Sequence, residues 1–221
     1  METSRRLFLL GAASALACRQ RESPAASPPG ADFADAVVAG SRRRFPNPLL
    51  TTHEGRPVRF YDRFVRGRFV LINFAYTRCE GKCPRGVGVL LATRKLLTPA
   101  MGCAPGLSTL TLDPDHDSPE VLARYVASRG APPGWTCLTG ARADLEALRR
   151  FLGFVDPDPR VDADRSQHGS LVAMGDDVRG RWQVASTQAG AEPLAQLALR
   201  TAGAWGARSS PGATSCGGRH G

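Results

Sequence analysis

The feature of this chain that most restricts its fold is a continuous apolar segment that runs into two closely spaced cysteines. Residues 69–76 read Phe-Val-Leu-Ile-Asn-Phe-Ala-Tyr, without alternation of polar and apolar side chains. Such a run is typical of a central strand that is buried on both faces. Cys79 and Cys83 follow, and Pro84 is suited to the first turn of a helix. The sequence therefore predicts a strand, a loop that holds two thiols together, and a helix.

The remaining pattern predicts strands that alternate with helices. Hairpins are expected over residues 49–60, with a turn at Gly55, and over residues 170–185, with a turn over 175–180. Further strands are expected over 107–112 and 135–138, and helices over 84–97, 118–128, 141–152 and 192–200. This alternation predicts an α/β domain with helices on both faces of one sheet.

The beginning of the chain is typical of a bacterial export signal, which we assign to residues 1–18. Arg5 and Arg6 resemble a twin-arginine signal and precede an apolar run over residues 7–17. That run is shorter than the ~20 residues needed to span a bilayer. It ends at Ala-Leu-Ala-Cys18, which is similar to a lipoprotein cleavage box. Ordinary cleavage after Ala15 or Ala17 would instead leave Cys18 unmodified.

The other boundaries follow from composition. Residues 19–45 are polar and rich in Pro, Ala and Ser, as linkers are, and residues 204–221 are expected to form a disordered tail. The folded domain is therefore predicted to comprise the residues between these two segments, 46–203. We expect the protein to be exported, to the periplasm or the outer face of a bacterial membrane. Its only predicted attachment to the membrane is a lipid on Cys18.

The net charge of +9 does not by itself indicate a nucleic-acid-binding protein. Of the 29 basic residues only Lys82 and Lys95 are lysines, and the arginines are spread along the whole chain. No basic stripe alternates with aromatic residues, as a platform for stacking bases would require. We therefore expect no nucleic-acid partner.

Two thiols on one loop suit either the capture of a soft metal or thiol–disulfide exchange. A plain disulfide that staples the loop is the simplest alternative in an oxidising compartment. A structural zinc site is disfavoured, because no second cysteine pair has suitable spacing. Lys82 and the helix N-terminus are expected to lower the pKa of both Cys79 and Cys83.

Three segments, in the same order, are similar to segments of the Sco/SenC family of copper proteins. The first is residues 74–84, Phe-Ala-Tyr-Thr-Arg-Cys-Glu-Gly-Lys-Cys-Pro. The second is residues 111–122, which contain Asp-Pro-Asp-His-Asp-Ser-Pro. The third is residues 135–140, followed about 28 residues later by His168. The chain departs from the usual family pattern at Glu80, His116 and Gln167. It keeps the residues that the resemblance implies as metal ligands, which are Cys79, Cys83 and His168.

This resemblance implies a thioredoxin-like α/β fold, with a central mixed sheet flanked by helices and an N-terminal hairpin. It implies one copper ion, Cu(I) or Cu(II), bound by Cys79, Cys83 and His168, with Asp113 facing the site behind these ligands. It further implies delivery of copper to the copper-bearing subunit of cytochrome c oxidase or to another cuproprotein. Two thiolates and an imidazole are a donor set that suits copper.

The alternative function is enzymatic, namely that of a thiol–disulfide oxidoreductase. Cys79 and Cys83 would then be the redox-active residues that reduce the cysteines of a partner, and a thiol reductant would regenerate them. His168 discriminates between the two functions, because copper binding needs it and disulfide exchange does not.

The remaining cysteines and histidines are expected to play lesser roles. Cys103 and Cys137 would form a disulfide if their Cα atoms lay within about 7 Å. His53 is expected to be solvated in a hairpin turn, and His116 to be a loop residue. Cys216, in the tail, is expected to be inert.

Overall fold

The computed structural model describes residues 45–163 and 170–203, which form one mixed seven-stranded sheet with helices on both faces. The strands are β1 (Leu49–Thr52), β2 (Pro57–Arg59), β3 (Phe69–Ala75), β4 (Gly106–Thr111), β5 (Trp135–Thr139), β6 (Leu171–Asp176) and β7 (Arg181–Ser186), in the spatial order β2-β1-β5-β4-β3-β6-β7. The helices are α1 (Lys82–Met101), α2 (Pro119–Ala127), α3 (Arg142–Phe151), α4 (Pro159–Ala163) and α5 (Ala191–Thr201).

Strand β3 lies within the sheet, parallel to β4 and antiparallel to β6, and all of its residues are buried. Its side chains alternate between two hydrophobic cores. Leu71 and Ala75 pack with α1, α2 and α5, whereas Ile72 and Phe74 pack with α3. The absence of polar alternation in the sequence is explained by these two cores, and the predicted central strand and α/β layering are confirmed.

The predicted N-terminal hairpin is present as β1 and β2, with Gly55 at a φ of +79° in its turn. The expectation that His53 is merely solvated is wrong. His53 is half-buried, its backbone N–H donates to the carbonyl of Cys137 at 2.8 Å, and its Nδ1 accepts from the amide of Cys137 at 3.3 Å. The turn is therefore fastened to β5.

Two element boundaries differ from the prediction. Helix α1 begins at Lys82, before Pro84, and continues to Met101, where Gly102 adopts a φ of +73°. Strand β6 includes Gly175, which was expected to lie in the turn. A Cβ atom on Gly175 would lie 2.3 Å from the ring of Trp182 in β7, so glycine is required there by packing and not by a turn.

Cys103 and Cys137 do not form the disulfide considered from the sequence. Cys137 is a buried free thiol, whereas Cys103 is disulfide-bonded. Among the described residues, no helix is both long enough and apolar enough to cross a membrane. The predicted export signal and the linker lie almost wholly outside the described residues, and the tail lies wholly outside them.

Candidate metal centre

The loop that joins β3 to α1 brings two thiols into contact. Cys83 lies in the first turn of α1 and is 1% exposed, and Cys79 precedes the helix and is half-buried. The backbone N–H of Cys83 donates to Sγ of Cys79 at 3.4 Å. Both cysteines are free. The predicted strand, thiol loop and helix are therefore arranged as expected, with one thiol accessible and the other covered.

The surroundings of the two thiols differ, and so do their pKa values. Burial opposes ionisation of Cys79, but hydrogen bonds from the Cys83 thiol, from the backbone of Cys83 and Gly81 and from the side chain of Tyr76 together lower its pKa. Burial, and the hydrogen bond to Cys79, raise the pKa of Cys83 to about 12. The expectation that both values are lowered is therefore wrong for Cys83, because its desolvation outweighs the effect of the helix N-terminus.

Asp113 contacts the cysteine loop through Arg78, the residue before Cys79. Its carboxylate is 5% exposed, and Oδ2 accepts from Nη2 of Arg78 at 2.6 Å. Asp113 itself follows the end of β4, which is parallel to β3. The aspartate therefore lies at the base of the loop, and its predicted role toward a bound metal stays a prediction.

A second carboxylate, that of Asp117, connects the same loop to the end of β4 through hydrogen bonds. Asp117 is fully buried and accepts from the amide of Thr77 at 3.2 Å and from its hydroxyl at 2.5 Å. It also accepts from the hydroxyl of Thr111 at 2.5 Å. We did not single out Asp117 or Thr77 from the sequence. The available signal was a second aspartate within the Asp-Pro-Asp-His-Asp-Ser-Pro segment.

The third expected ligand, His168, lies outside the described residues, so its role stays a prediction. Among the residues that the structure describes, no three His, Cys, Asp or Glu side chains are grouped so as to hold a metal. His116 is exposed, in a turn where its amide donates to the carbonyl of Asp113. Within the described part of the chain, the candidate site is therefore the pair of soft donors Cys79 and Cys83.

Behind the cysteine loop lies the buried side chain of Tyr125, from α2. Its ring packs edge-on against Trp135 and lies beneath the guanidinium of Arg129, 3.6 Å from the ring centroid. Burial raises the pKa of Tyr125 to about 12, opposed by the charge of Arg129 and assisted by Cys137 and the two loop cysteines. The phenol is therefore close to three thiols and remains protonated at neutral pH.

Comparison with known proteins identifies the family. The family model described as SCO1/SenC matches residues 46–200. The chain belongs to the SCO1/SenC family. The mouse (Mus musculus) mitochondrial SCO1 homolog is 30% identical over an alignment of 121 residues, which covers 50% of this chain and 38% of the mouse protein. This SCO1/SenC chain therefore aligns with well under half of the mouse protein.

Solved structures confirm the thioredoxin-like fold expected for a SCO1/SenC protein. Arabidopsis thaliana ScoI with copper bound is 16% identical, with a TM-score of 0.57 over 72% of this chain and 98% of the other. BsSco, described as a Sco-family cytochrome c oxidase assembly protein with a disulfide switch, is 20% identical, with a TM-score of 0.54 over 74% of this chain and 94% of the other.

Proposed function

We propose that this protein is a copper metallochaperone, which holds one copper ion through Cys79, Cys83 and His168 and passes it to a cuproenzyme. The observation that carries the proposal is the pair of contacting, reduced thiols at the start of α1 in a SCO1/SenC chain. The copper-bound state of Arabidopsis thaliana ScoI supports it.

The two thiols suit Cu(I) in complementary ways. Thiolates are soft ligands, and a third donor such as an imidazole completes a compact site. Cys79 has the lowered pKa and the greater access, so it is suited to meet the incoming ion first. Cys83 is held as a thiol and must release its proton when it binds, which makes copper binding dependent on pH.

The pairing of β6 with β3 supports His168 as the third ligand. The two strands are antiparallel with Val172 opposite Asn73, so β6 begins at the end of the sheet from which the cysteine loop leaves. His168 precedes Ser170, the first described residue before β6, by only two positions. Two residues span at most about 7 Å, and this short connection to β6 supports the proposal of His168 as the third ligand.

We further propose that the recipient is the copper-bearing subunit of cytochrome c oxidase or a similar cuproprotein, reached in the periplasm or on the outer face of a bacterial membrane. The description of BsSco as an oxidase assembly protein supports such a recipient. The apolar run and Cys18 near the beginning of the chain support export and a lipid anchor.

A second candidate function is thiol–disulfide exchange, and the asymmetry of the two thiols favours it. Cys79, with its lowered pKa, would attack a partner's disulfide as the thiolate. Cys83 would then resolve the mixed disulfide, leaving the Cys79–Cys83 disulfide and a reduced partner. An external thiol reductant would return the pair to its starting state.

The experiment that separates the two functions is a Cu(I) titration of the reduced full-length protein against a competing chelator. His168→Ala and Cys83→Ser are compared with wild type, and His116→Ala is the matched control because His116 lies exposed in a loop. We expect one tightly bound copper per chain, sharply weakened in the first two variants and unchanged in the third. Binding that is indifferent to His168 would favour disulfide exchange instead.

A further inference from the structure

The hydroxyl of Tyr125 is a buried polar group that lacks a partner within residues 45–163 and 170–203. Tyr125 is 8% exposed, and its Oη has no hydrogen-bond partner among the described residues. The ring packs against Trp135 of β5 and beneath the guanidinium of Arg129. Because an unpaired buried hydroxyl is costly, such a group calls for a partner.

A small cavity lies at this position, between the cysteine loop and β5. It is lined by Tyr76 and Thr77 of the loop, by Tyr125 and by Cys137, together with the side chains of two β4 threonines, Thr109 and Thr111. Its volume is about 10 Å³, which is about the smallest volume that accommodates one water molecule.

The two β4 threonines restrict what the cavity can bind. Thr109 Oγ1 accepts from the indole N–H of Trp135 at 2.9 Å and donates to Oδ1 of Asn73 at 2.7 Å. Thr111 Oγ1 donates to Asp117 at 2.5 Å and accepts from a backbone amide at 2.9 Å. Thr109 is also hydrogen-bonded to the side chain of Cys137, so Thr111 is the residue whose hydroxyl has used its proton and only one of its two lone pairs. A ligand that pairs with Thr111 Oγ1 must therefore donate a hydrogen bond, which excludes a simple anion.

We propose that this cavity binds one water molecule, which pairs with the Tyr125 hydroxyl and donates to Thr111 Oγ1. Water suits the site because it both donates and accepts and is the right size. This hydration site does not depend on the proposed copper function.

The same water would make Tyr125 a positioning residue for Cys79. Tyr76 and Thr77 line the cavity, and the carbonyl of Tyr76 accepts from the amide of Cys79 at 3.3 Å. A water held against this segment would limit its movement, and with it the movement of the accessible thiol. This consequence rests on the proposed copper function.

The hydration site is tested by crystal structures of the reduced protein, as wild type and as Tyr125→Phe, at a resolution that shows ordered water. Tyr61→Phe is the matched control, because it removes a hydroxyl that is 3.2 Å from both carboxylate oxygens of Asp177, outside the cavity. We expect one water peak within hydrogen-bond distance of Tyr125 Oη in wild type and Tyr61→Phe, and no peak in Tyr125→Phe. A dry cavity in wild type would overturn the proposal.

Denaturant unfolding of the same proteins provides a second measurement. Loss of a hydrogen-bonded hydroxyl lowers the unfolding midpoint or leaves it unchanged, whereas loss of an orphaned hydroxyl raises it. We therefore expect Tyr125→Phe to be no more stable than wild type. A clearly higher midpoint for this variant would count against a bound water.

The positioning role is tested separately, by Cu(I) affinity. We expect Tyr125→Phe to weaken Cu(I) binding by about 10-fold, at the lower end of the range for partners of metal ligands, with no change in Tyr61→Phe. Equal affinity in all three proteins would overturn the positioning role and leave the hydration site standing. If wild type itself bound no Cu(I) tightly, the proposed function would fail instead, and the crystallographic result would still decide the water site.

Discussion

The guanidinium of Arg78 and the buried carboxylate of Asp113 form an ion pair, 2.6 Å apart, at the base of the cysteine loop. Arg78 directly precedes Cys79, and Asp113 follows β4. The pair therefore fixes the direction in which the accessible thiol leaves the sheet. Because groups that orient metal ligands affect affinity strongly, this contact leads to a specific prediction.

Asp113→Asn keeps the size of the side chain but removes the charge that holds Arg78. We expect it to weaken Cu(I) binding by about 10- to 100-fold, as measured by competition with a chelator. Asp115→Asn is the matched control, because the Asp115 carboxylate is 78% exposed and pairs instead with Arg142. Equal affinities in the two variants would show that Asp113 has no role at the site.

We expect the loss of the Asp117 carboxylate to affect the free energy of unfolding more directly than it affects copper binding. Its carboxylate is fully buried and accepts three hydrogen bonds, two of them from Thr77. Asp117→Ala leaves these donors without a partner, which should lower the free energy of unfolding by about 3 kcal/mol. Asp115→Ala, at an exposed position in the same loop, should change it by no more than about 0.5 kcal/mol. Denaturant unfolding measures both, and similar losses would contradict this prediction.

The close approach of β6 and β7 is tested by a pair of glycine substitutions. In Gly175→Ala the added Cβ would lie 2.3 Å from the ring of Trp182, so the variant should be less stable by about 1–3 kcal/mol. Gly88 lies exposed within α1, where a Cβ meets nothing within 4 Å. Gly88→Ala should therefore be more stable by about 0.5–1 kcal/mol. Thermal or denaturant unfolding that showed the same sign for both would refute the packing argument.

Much of this arrangement could be predicted from the sequence. The apolar run over β3 has to be buried on both faces, and a cysteine spacing of four residues across a helix start keeps the two thiols together. Ser118, predicted as the cap of α2, accepts from the amide of Val121 at 3.4 Å. These features depend on residues that are close together in the sequence, so they can be predicted from it.

The features that were missed depend on contacts between distant segments. The half-buried His53 is defined by its contacts with Cys137, 84 positions away. Likewise, the raised pKa of Cys83 depends on desolvation by the surrounding core. Two elements were missed for a different reason: the π-helix Tyr61–Val65 and helix α4 have five residues each and are too short to show a helical period.

The difference between the two thiols gives a prediction about reactivity. The pKa of Cys79 is lowered and that of Cys83 is about 12, so near pH 8 Cys79 holds by far the larger thiolate fraction. We expect iodoacetamide to modify Cys79 first, with a rate that rises with pH and levels off below the ordinary thiol pKa. Cys83→Ala removes a hydrogen bond to the Cys79 thiolate, so the midpoint should move to higher pH. Peptide mass spectrometry over a pH series measures both, and earlier modification of Cys83 would contradict the assigned roles.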